Sequence, residues 1–194
     1  MERQNIEIIE KAAGIIMNSG VKELTVHNLA NKLMVDKSQL LKQFTKDDDI
    51  LLLLLLDFEI DINELISEFA RTTETPDAEM KILFKKLYFL FLQKPYYLDI
   101  IFDKKLKNRD ESIKNSFLRI RNTAENYLTS VINKGENENI FKTKVSTKVL
   151  VGKILSGFRL FMKDEQRIHE VILEMKTIKN LKDPFGSFFF IKNF

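Results

Sequence analysis

The chain has 194 residues, of which 44% are hydrophobic and 30% charged, a globular balance that excludes global disorder and allows a substantial core. It has no cysteine, which excludes a disulfide framework and thiolate metal sites. Its six glycines and three prolines are too few breakers for an all-β chain with frequent turns. The net charge is +3 and the pI near 8.9, but residues 1–50 hold seven bases against eight acids, a net of −1, so the basic excess lies elsewhere.

The first residues, Met1-Glu2-Arg3-Gln4-Asn5, are polar where a signal peptide would be apolar. The longest apolar run, Ile50 to Leu56, has seven residues. A membrane span needs about 20. The expectation is a soluble, cytoplasmic protein with no membrane partner.

The periodicity predicts a first helix over 3–18, with Ile6, Ile9, Ala13 and Ile16 on one stripe and Gly20 as a left-handed stop. Thr25 is placed to cap a short second helix, whose Val26, Leu29, Ala30 and Leu33 repeat the helical spacing. Met34-Val35 reads as a turn. Asp36 caps a third helix, with Gln39 completing a capping box and Leu40 and Phe44 on the inner side. Thr45-Lys46-Asp47-Asp48 reads as a further capping box, opening a long fourth helix to about residue 71. Asp47, Asp48 and Asp49 suit the positive end of that helix dipole. Further helices are expected over 77–93, 95–106, 110–133, 144–163 and 165–180, with Pro95 in a first turn and 135–139 as a polar connector.

A tight turn between two short helices, braced by a third, forms a unit that can lay one helix in a DNA major groove. On this pattern Leu29, Ala30, Val35, Leu40 and Phe44 form the inner seam, and Lys37, Ser38, Gln39, Leu41, Lys42 and Gln43 face outward. Gln pairs with adenine in two bonds, Lys reaches guanine or phosphate, and Ser does either. Plain solvation of a small helical domain would put the same residue types outside.

Residues 6–51 resemble the head of the TetR/AcrR family of ligand-responsive transcriptional regulators. The resemblance rests on Ala12-Ala13, the Gly20 stop, Leu24-Thr25-Val26-His27-Asn28-Leu29-Ala30, then Val35, Asp36, Leu40, Phe44 and the acidic start before Ile50-Leu51. Lys94-Pro95-Tyr96-Tyr97-Leu98 is similar to the family more loosely. Three positions depart from it. Met34 stands where the turn usually has Gly, Leu41 where an aromatic is usual, and Asp47 where a phosphate-reaching Lys is common, with Lys46 one residue earlier. A non-Gly residue in a left-handed turn costs about 1–2 kcal/mol, so a slightly different turn is expected.

The resemblance implies an all-α fold with a helix-turn-helix head over 1–46 and a helical-bundle body for ligand binding and dimerisation over 47–194. It implies that Thr25, His27 and Asn28 touch the DNA backbone or flanking bases and that Lys37, Ser38, Gln39, Leu41, Lys42 and Gln43 read the double-stranded operator, with Lys46 added as a phosphate contact. It also implies an apolar effector pocket in the body. The candidate lining residues are Phe89, Tyr96, Tyr97, Phe102, Tyr127 and Phe158. A homodimer is expected from the last two helices, through Val149, Gly152, Ser156, Ile168, Val171 and Met175, in a four-helix arrangement about a two-fold axis.

The two histidines, His27 and His169, are isolated and make no zinc site. Asp47, Asp48 and Asp49 diverge around a helix and cannot converge on one ion. No phosphate-binding glycine loop, Ser nucleophile elbow or Cys nucleophile appears, so no enzyme, cofactor or metal is expected. Lys104-Lys105-Leu106-Lys107-Asn108-Arg109 reads as a solvated basic connector or a surface for an acidic partner. The functional expectation is a regulator, most simply a repressor, released from DNA by a small apolar or amphipathic effector. The alternative is a helical interaction or ligand-binding protein with weakened or lost DNA binding.

Overall fold

The computed structural model describes residues 3–69, 75–106, 109–142 and 144–161. Among these the chain is all-α, with eight α-helices, one 3-10 turn at Val21–Glu23 and no strand. The helices are α1 (Arg3–Ser19), α2 (Val26–Leu33), α3 (Lys37–Leu40), α4 (Asp47–Phe69), α5 (Pro76–Gln93), α6 (Tyr96–Phe102), α7 (Glu111–Asn137) and α8 (Thr147–Phe161). The segment 165–180, with Ile168, His169, Val171 and Met175, lies outside the described residues.

The helices form two compact units. The first holds α1 to α4, α6, the part of α5 from Lys86 and the part of α7 up to Ala124. The second holds residues 76–85 of α5, the part of α7 from Glu125, and α8.

In the first unit α1 packs on α2, α4 and α6. It buries Ile8, Ile9, Ala12, Ala13, Ile15 and Ile16, a doublet at each turn, while Ile6 is 48% exposed. The expected single stripe is therefore one edge of a wider face, as a helix covered by several neighbours requires. Gly20 ends α1 at φ 84, ψ 165, a conformation essentially restricted to glycine, and its N–H donates to the Ile16 carbonyl at 2.8 Å. α4 buries Ile50, Leu51, Leu54, Leu55, Phe58, Ile62, Leu65 and Phe69, a three-and-four spacing that keeps one face inward over its whole length. α6 stops at Phe102, four residues before the expected end. Asp103 turns extended there, and its carboxylate accepts the Lys105 N–H at 2.7 Å, a local bond that competes with the helix.

In the second unit α7 runs past the expected end at 133 and takes in Gly135, which the sequence places in a connector. The ring of Phe141 lies where a Cβ of residue 135 would stand, so the position is fixed by packing. The helix closes with Asn139 at φ 59. Its N–H donates to the Glu136 carbonyl at 3.1 Å and that of Ile140 to the Gly135 carbonyl at 2.8 Å, the two bonds of a left-handed helix stop with Asn in the glycine role. Glu79 is buried in this unit and accepts a bond from the Tyr127 hydroxyl at 2.6 Å, with the Lys134 ammonium 3.8 Å from its other oxygen. Burial, then the bond to Glu79, raises the Tyr127 phenol well above the ordinary tyrosine range.

Candidate nucleic-acid interface

The head is assembled by local caps. Thr25 has extended backbone angles and its Oγ1 accepts the Asn28 N–H at 3.1 Å, which starts α2. α2 ends with Met34 at φ 56, ψ 38. The Met34 N–H reaches the Asn31 carbonyl at 3.3 Å and the Val35 N–H the Ala30 carbonyl at 3.1 Å. The turn thus keeps the left-handed geometry usual with glycine, and these backbone bonds offset the strain of about 1–2 kcal/mol that a side chain brings there. Asp36 starts α3 by accepting the Ser38 N–H at 2.7 Å, and the Ser38 side chain, then this N–H, hold its carboxyl below the ordinary aspartate range. The cap is made on Ser38; among the described residues no Gln39 side-chain bond closes the expected box.

α3 proper is one turn, Lys37–Leu40, but the chain stays helically coiled to Phe44. The Leu41 N–H donates to the Lys37 carbonyl at 3.0 Å and that of Phe44 to Leu40 at 2.8 Å. Leu40 and Phe44 are buried, and Lys37, Ser38, Gln39, Leu41, Lys42 and Gln43 are exposed. Gln43 is also tethered, donating to the Asn5 side chain of α1 at 3.2 Å. The residues placed on α2 stand differently. His27 is exposed beside Asn31 at 3.2 Å. The half-buried Asn28 amide bonds the Glu23 carbonyl at 2.9 Å and its carboxylate at 3.2 Å, and Thr25 is occupied as a cap.

The acids of the head are largely turned to internal tasks. The box that opens α4 is closed by Asp49, not by Asp48 as the sequence suggests. Its Oδ2 accepts the Thr45 N–H at 2.7 Å, the Thr45 hydroxyl at 2.8 Å and the Lys46 N–H at 3.0 Å. The helix begins at Asp47, so the reciprocal position of the box is the third helical residue, Asp49. Burial works against the Asp49 carboxylate, but the bonds from Thr45 and Lys46 outweigh it and lower its pKa. Asp47 reaches across 21 residues to accept the Val26 N–H at 2.8 Å. That amide is one of the donors a helix start leaves unpaired, so α4 supplies a second cap to α2. Asp48 lies 2.8 Å from the Arg109 Nε, and the Lys46 ammonium 2.8 Å from Asp110.

Further along α4, the buried carboxylate of Asp57 accepts bonds from Lys94 at 2.9 Å, Tyr96 at 3.1 Å and Tyr97 at 2.6 Å. Asp61, one turn on, accepts from Lys94 and Tyr97, both at 2.7 Å. Desolvation opposes the Lys94 ammonium, but the bonds from Asp61 and Asp57 prevail and raise its pKa. Burial, then the bonds to the two carboxylates, drives the Tyr97 phenol far above its ordinary range. The sequence reading missed this cluster. Its one signal was Asp57, directly after the apolar run Ile50 to Leu56, with Asp61 four residues on.

The cluster bears on the proposed ligand residues. Tyr96 and Tyr97 are brought together, rings 4.6 Å apart, but packed and hydrogen-bonded. Phe102 is half-buried, and Phe89 is 48% exposed against Tyr88. Tyr127 belongs to the second unit, and the side chain of Phe158 lies outside the described ones. Among the described residues no group of three or more His, Asp or Glu is placed to hold a metal ion, and no helix is long and apolar enough to cross a membrane.

No protein-family model and no curated protein matches the sequence. Solved structures do. The ketosteroid transcriptional regulator KstR2 of Mycobacterium tuberculosis aligns at a TM-score of 0.72 and 16% identity, over 92% of this chain and 93% of that one. FadR of Bacillus subtilis, solved in complex with stearoyl-CoA, aligns at 0.68 and 16%, over 88% and 89%. A TetR transcription regulator from Haloarcula marismortui aligns at 0.72 and 19%, over 86% and 91%. The fold is that of the TetR regulators. In this chain α2 and α3 are joined by the tight turn at Met34, α1 packs on α2, and α4 follows.

Proposed function

We propose that the protein is a DNA-binding transcriptional regulator, acting as a repressor in the cytoplasm. Residues 1–46 read a double-stranded operator, and residues 47–194 hold the effector and dimer surfaces. The observation that carries this reading is the head itself: a capped helix-turn-helix in a TetR fold, with Lys37, Ser38, Gln39, Leu41, Lys42 and Gln43 all exposed on its third helix and the turn after it. The acidic balance of the head does not oppose DNA as strongly as its formal charge suggests. Asp36, Asp47 and Asp49 are spent on helix starts, and Asp48 stands beside Arg109.

The effector is a small apolar or amphipathic molecule. This is supported by two structures of the same fold, one named for ketosteroids and one holding stearoyl-CoA. Release follows if the effector prefers a head spacing that no longer matches successive major grooves, and differential affinity is the only source of energy for that shift. The homodimer forms on α8, where Val149, Gly152 and Ser156 are exposed at spacings of three and four. Among the described residues a Cβ at Gly152 meets open space, so Gly152→Leu is expected to disrupt close approach of a partner helix, and circular dichroism checks that the monomer fold is kept. Light scattering decides this: a dimeric Gly152→Leu variant places the interface elsewhere.

The second reading, a TetR-fold protein with weakened DNA binding, is favoured by one observation, the pairing of Lys46 with Asp110. Selecting duplexes from a random pool separates the two. On a selected operator Lys42→Ala and Gln39→Ala each weaken binding by about 1–3 kcal/mol without loss of fold. Unchanged affinity in both variants rejects the reading face.

A further inference from the structure

The reading surface is followed, two residues past Phe44, by a lysine that is already engaged. Lys46 Nζ lies 2.8 Å from Asp110 Oδ2, across 64 residues of sequence. The carboxylate is fixed from its other side, where Oδ1 accepts the Ser112 N–H at 2.7 Å as the cap of α7. The next residue back makes the opposite pairing: Arg109 Nε stands 2.8 Å from Asp48 Oδ1, although that oxygen has no hydrogen-bond partner of good geometry. Two neighbouring residues before α7, one cationic and one anionic, therefore meet one anionic and one cationic residue at the start of α4.

The Lys46–Asp110 pair is open to competition. The side chains are 50% and 25% exposed, so a dissolved or DNA-borne anion can reach the ammonium. Lys46 has N–H donors to spare, but a phosphate on it would stand within a few ångströms of the fixed Asp110 carboxylate, with Asp48 and Asp49 also close in charge. We propose that Asp110 is an internal competitor for the phosphate contact of Lys46, so that the start of α7 lowers the DNA affinity of the head by holding this lysine. The proposal rests on the head being a DNA reader. It does not depend on pH near neutrality: the bond from Lys46 holds Asp110 down at about 2, and the bond from Asp110 raises Lys46. Whatever draws Asp110 away strengthens binding by one phosphate contact.

The test is the salt dependence of binding to a labelled random-sequence duplex, followed by fluorescence anisotropy for wild type, Asp110→Asn, Lys46→Gln and the double variant. Asn caps a helix as well as Asp does, so Asp110→Asn retains the start of α7, and circular dichroism checks this. Asp110→Asn binds several-fold more tightly at low salt, and its plot of log K against log salt is steeper by about 0.9, the increment of one phosphate contact. In the Lys46→Gln background Asp110→Asn has no effect. The exposed neighbour Glu111, paired with Lys114, serves as the control for bulk charge: Glu111→Gln leaves the slope unchanged. If wild type binds and Asp110→Asn leaves affinity and slope as they were, the competitor is disproved and the DNA-reading head stands. An Asp110→Asn effect that persists with Lys46→Gln also disproves it. If neither wild type nor Asp110→Asn binds at low salt, both the reading and the proposal fall.

Discussion

α4 carries the same chemistry, carboxylates meeting cations, at two stations with opposite physical character. At its middle Asp57 and Asp61 share Lys94, Tyr96 and Tyr97, with the Asp57 side chain 8% exposed. At its start Lys46 and Asp48 meet Asp110 and Arg109 with the cations about half exposed. Burial makes the first station costly to leave incomplete, because an unpaired charge there has no water to turn to. Exposure makes the second cheap to break and sensitive to salt. One station fixes α6 to α4; the other can exchange partners without loss of the fold.

Lys94→Met breaks the comparison most severely. It leaves two carboxylates facing each other without their cation and is expected to cost about 3–5 kcal/mol in urea unfolding. A loss under 1 kcal/mol would mean that the middle station is solvated after all. Tyr97→Phe removes one hydroxyl bonded to both carboxylates and is expected to cost about 1.5–3 kcal/mol. The same residue sets an alkaline limit. Its phenol is held protonated in the fold above the ordinary tyrosine value of about 10, so its stabilisation is complete below that pH and is lost as pH rises beyond it. All four tyrosines, Tyr88, Tyr96, Tyr97 and Tyr127, are held above the ordinary range, so tyrosinate absorbance of the wild type stays low near pH 10 and rises together with unfolding. Free titration of all tyrosines in the folded protein would contradict the cluster.

Asp47→Ala sharpens the comparison at the head end. It removes the cap that α4 lends to α2 and is expected to cost about 0.5–2 kcal/mol, with faster hydrogen exchange at the Val26 amide. Unchanged exchange there would show that Val26 has another acceptor. The smallest effect is at the exposed station, where Lys46→Gln leaves the melting temperature unchanged. Its signature is in the titration of Asp110. The carboxyl, at about 2 in the wild type, moves up toward the ordinary aspartate range, and the contribution lost is one present above about pH 4 and absent as pH falls toward 2. A carboxyl resonance that titrates identically in both proteins would dissolve the pair.

The head was legible because its decisive bonds are local. Thr25 with Asn28 and Asp36 with Ser38 act over two or three residues, and Leu29, Ala30, Leu40 and Phe44 of the expected seam are buried by helical spacing, whereas Val35, in the turn between the helices, is 38% exposed. What escaped depends on distance in the chain. Asp47 reads as a departure at a phosphate position until Val26 is found beside it, and nothing near Lys46 announces Asp110. The aromatic pair Tyr96 and Tyr97 invites a ligand reading because the carboxylates that occupy their hydroxyls are about 40 residues earlier. Gly135 looked like a connector because glycine breaks helices, whereas here it gives the Phe141 ring its place.

The central claim is that α1 to α3 bind DNA. It is tested most directly by the retardation of a random-sequence duplex by the full chain, measured from low to high salt. Phosphate contact through the exposed Lys37 and Lys42 predicts retardation at low salt that weakens along a straight line in log K against log salt with a slope of about −0.9 per phosphate engaged. No retardation at low salt, or retardation that does not change with salt, would contradict it.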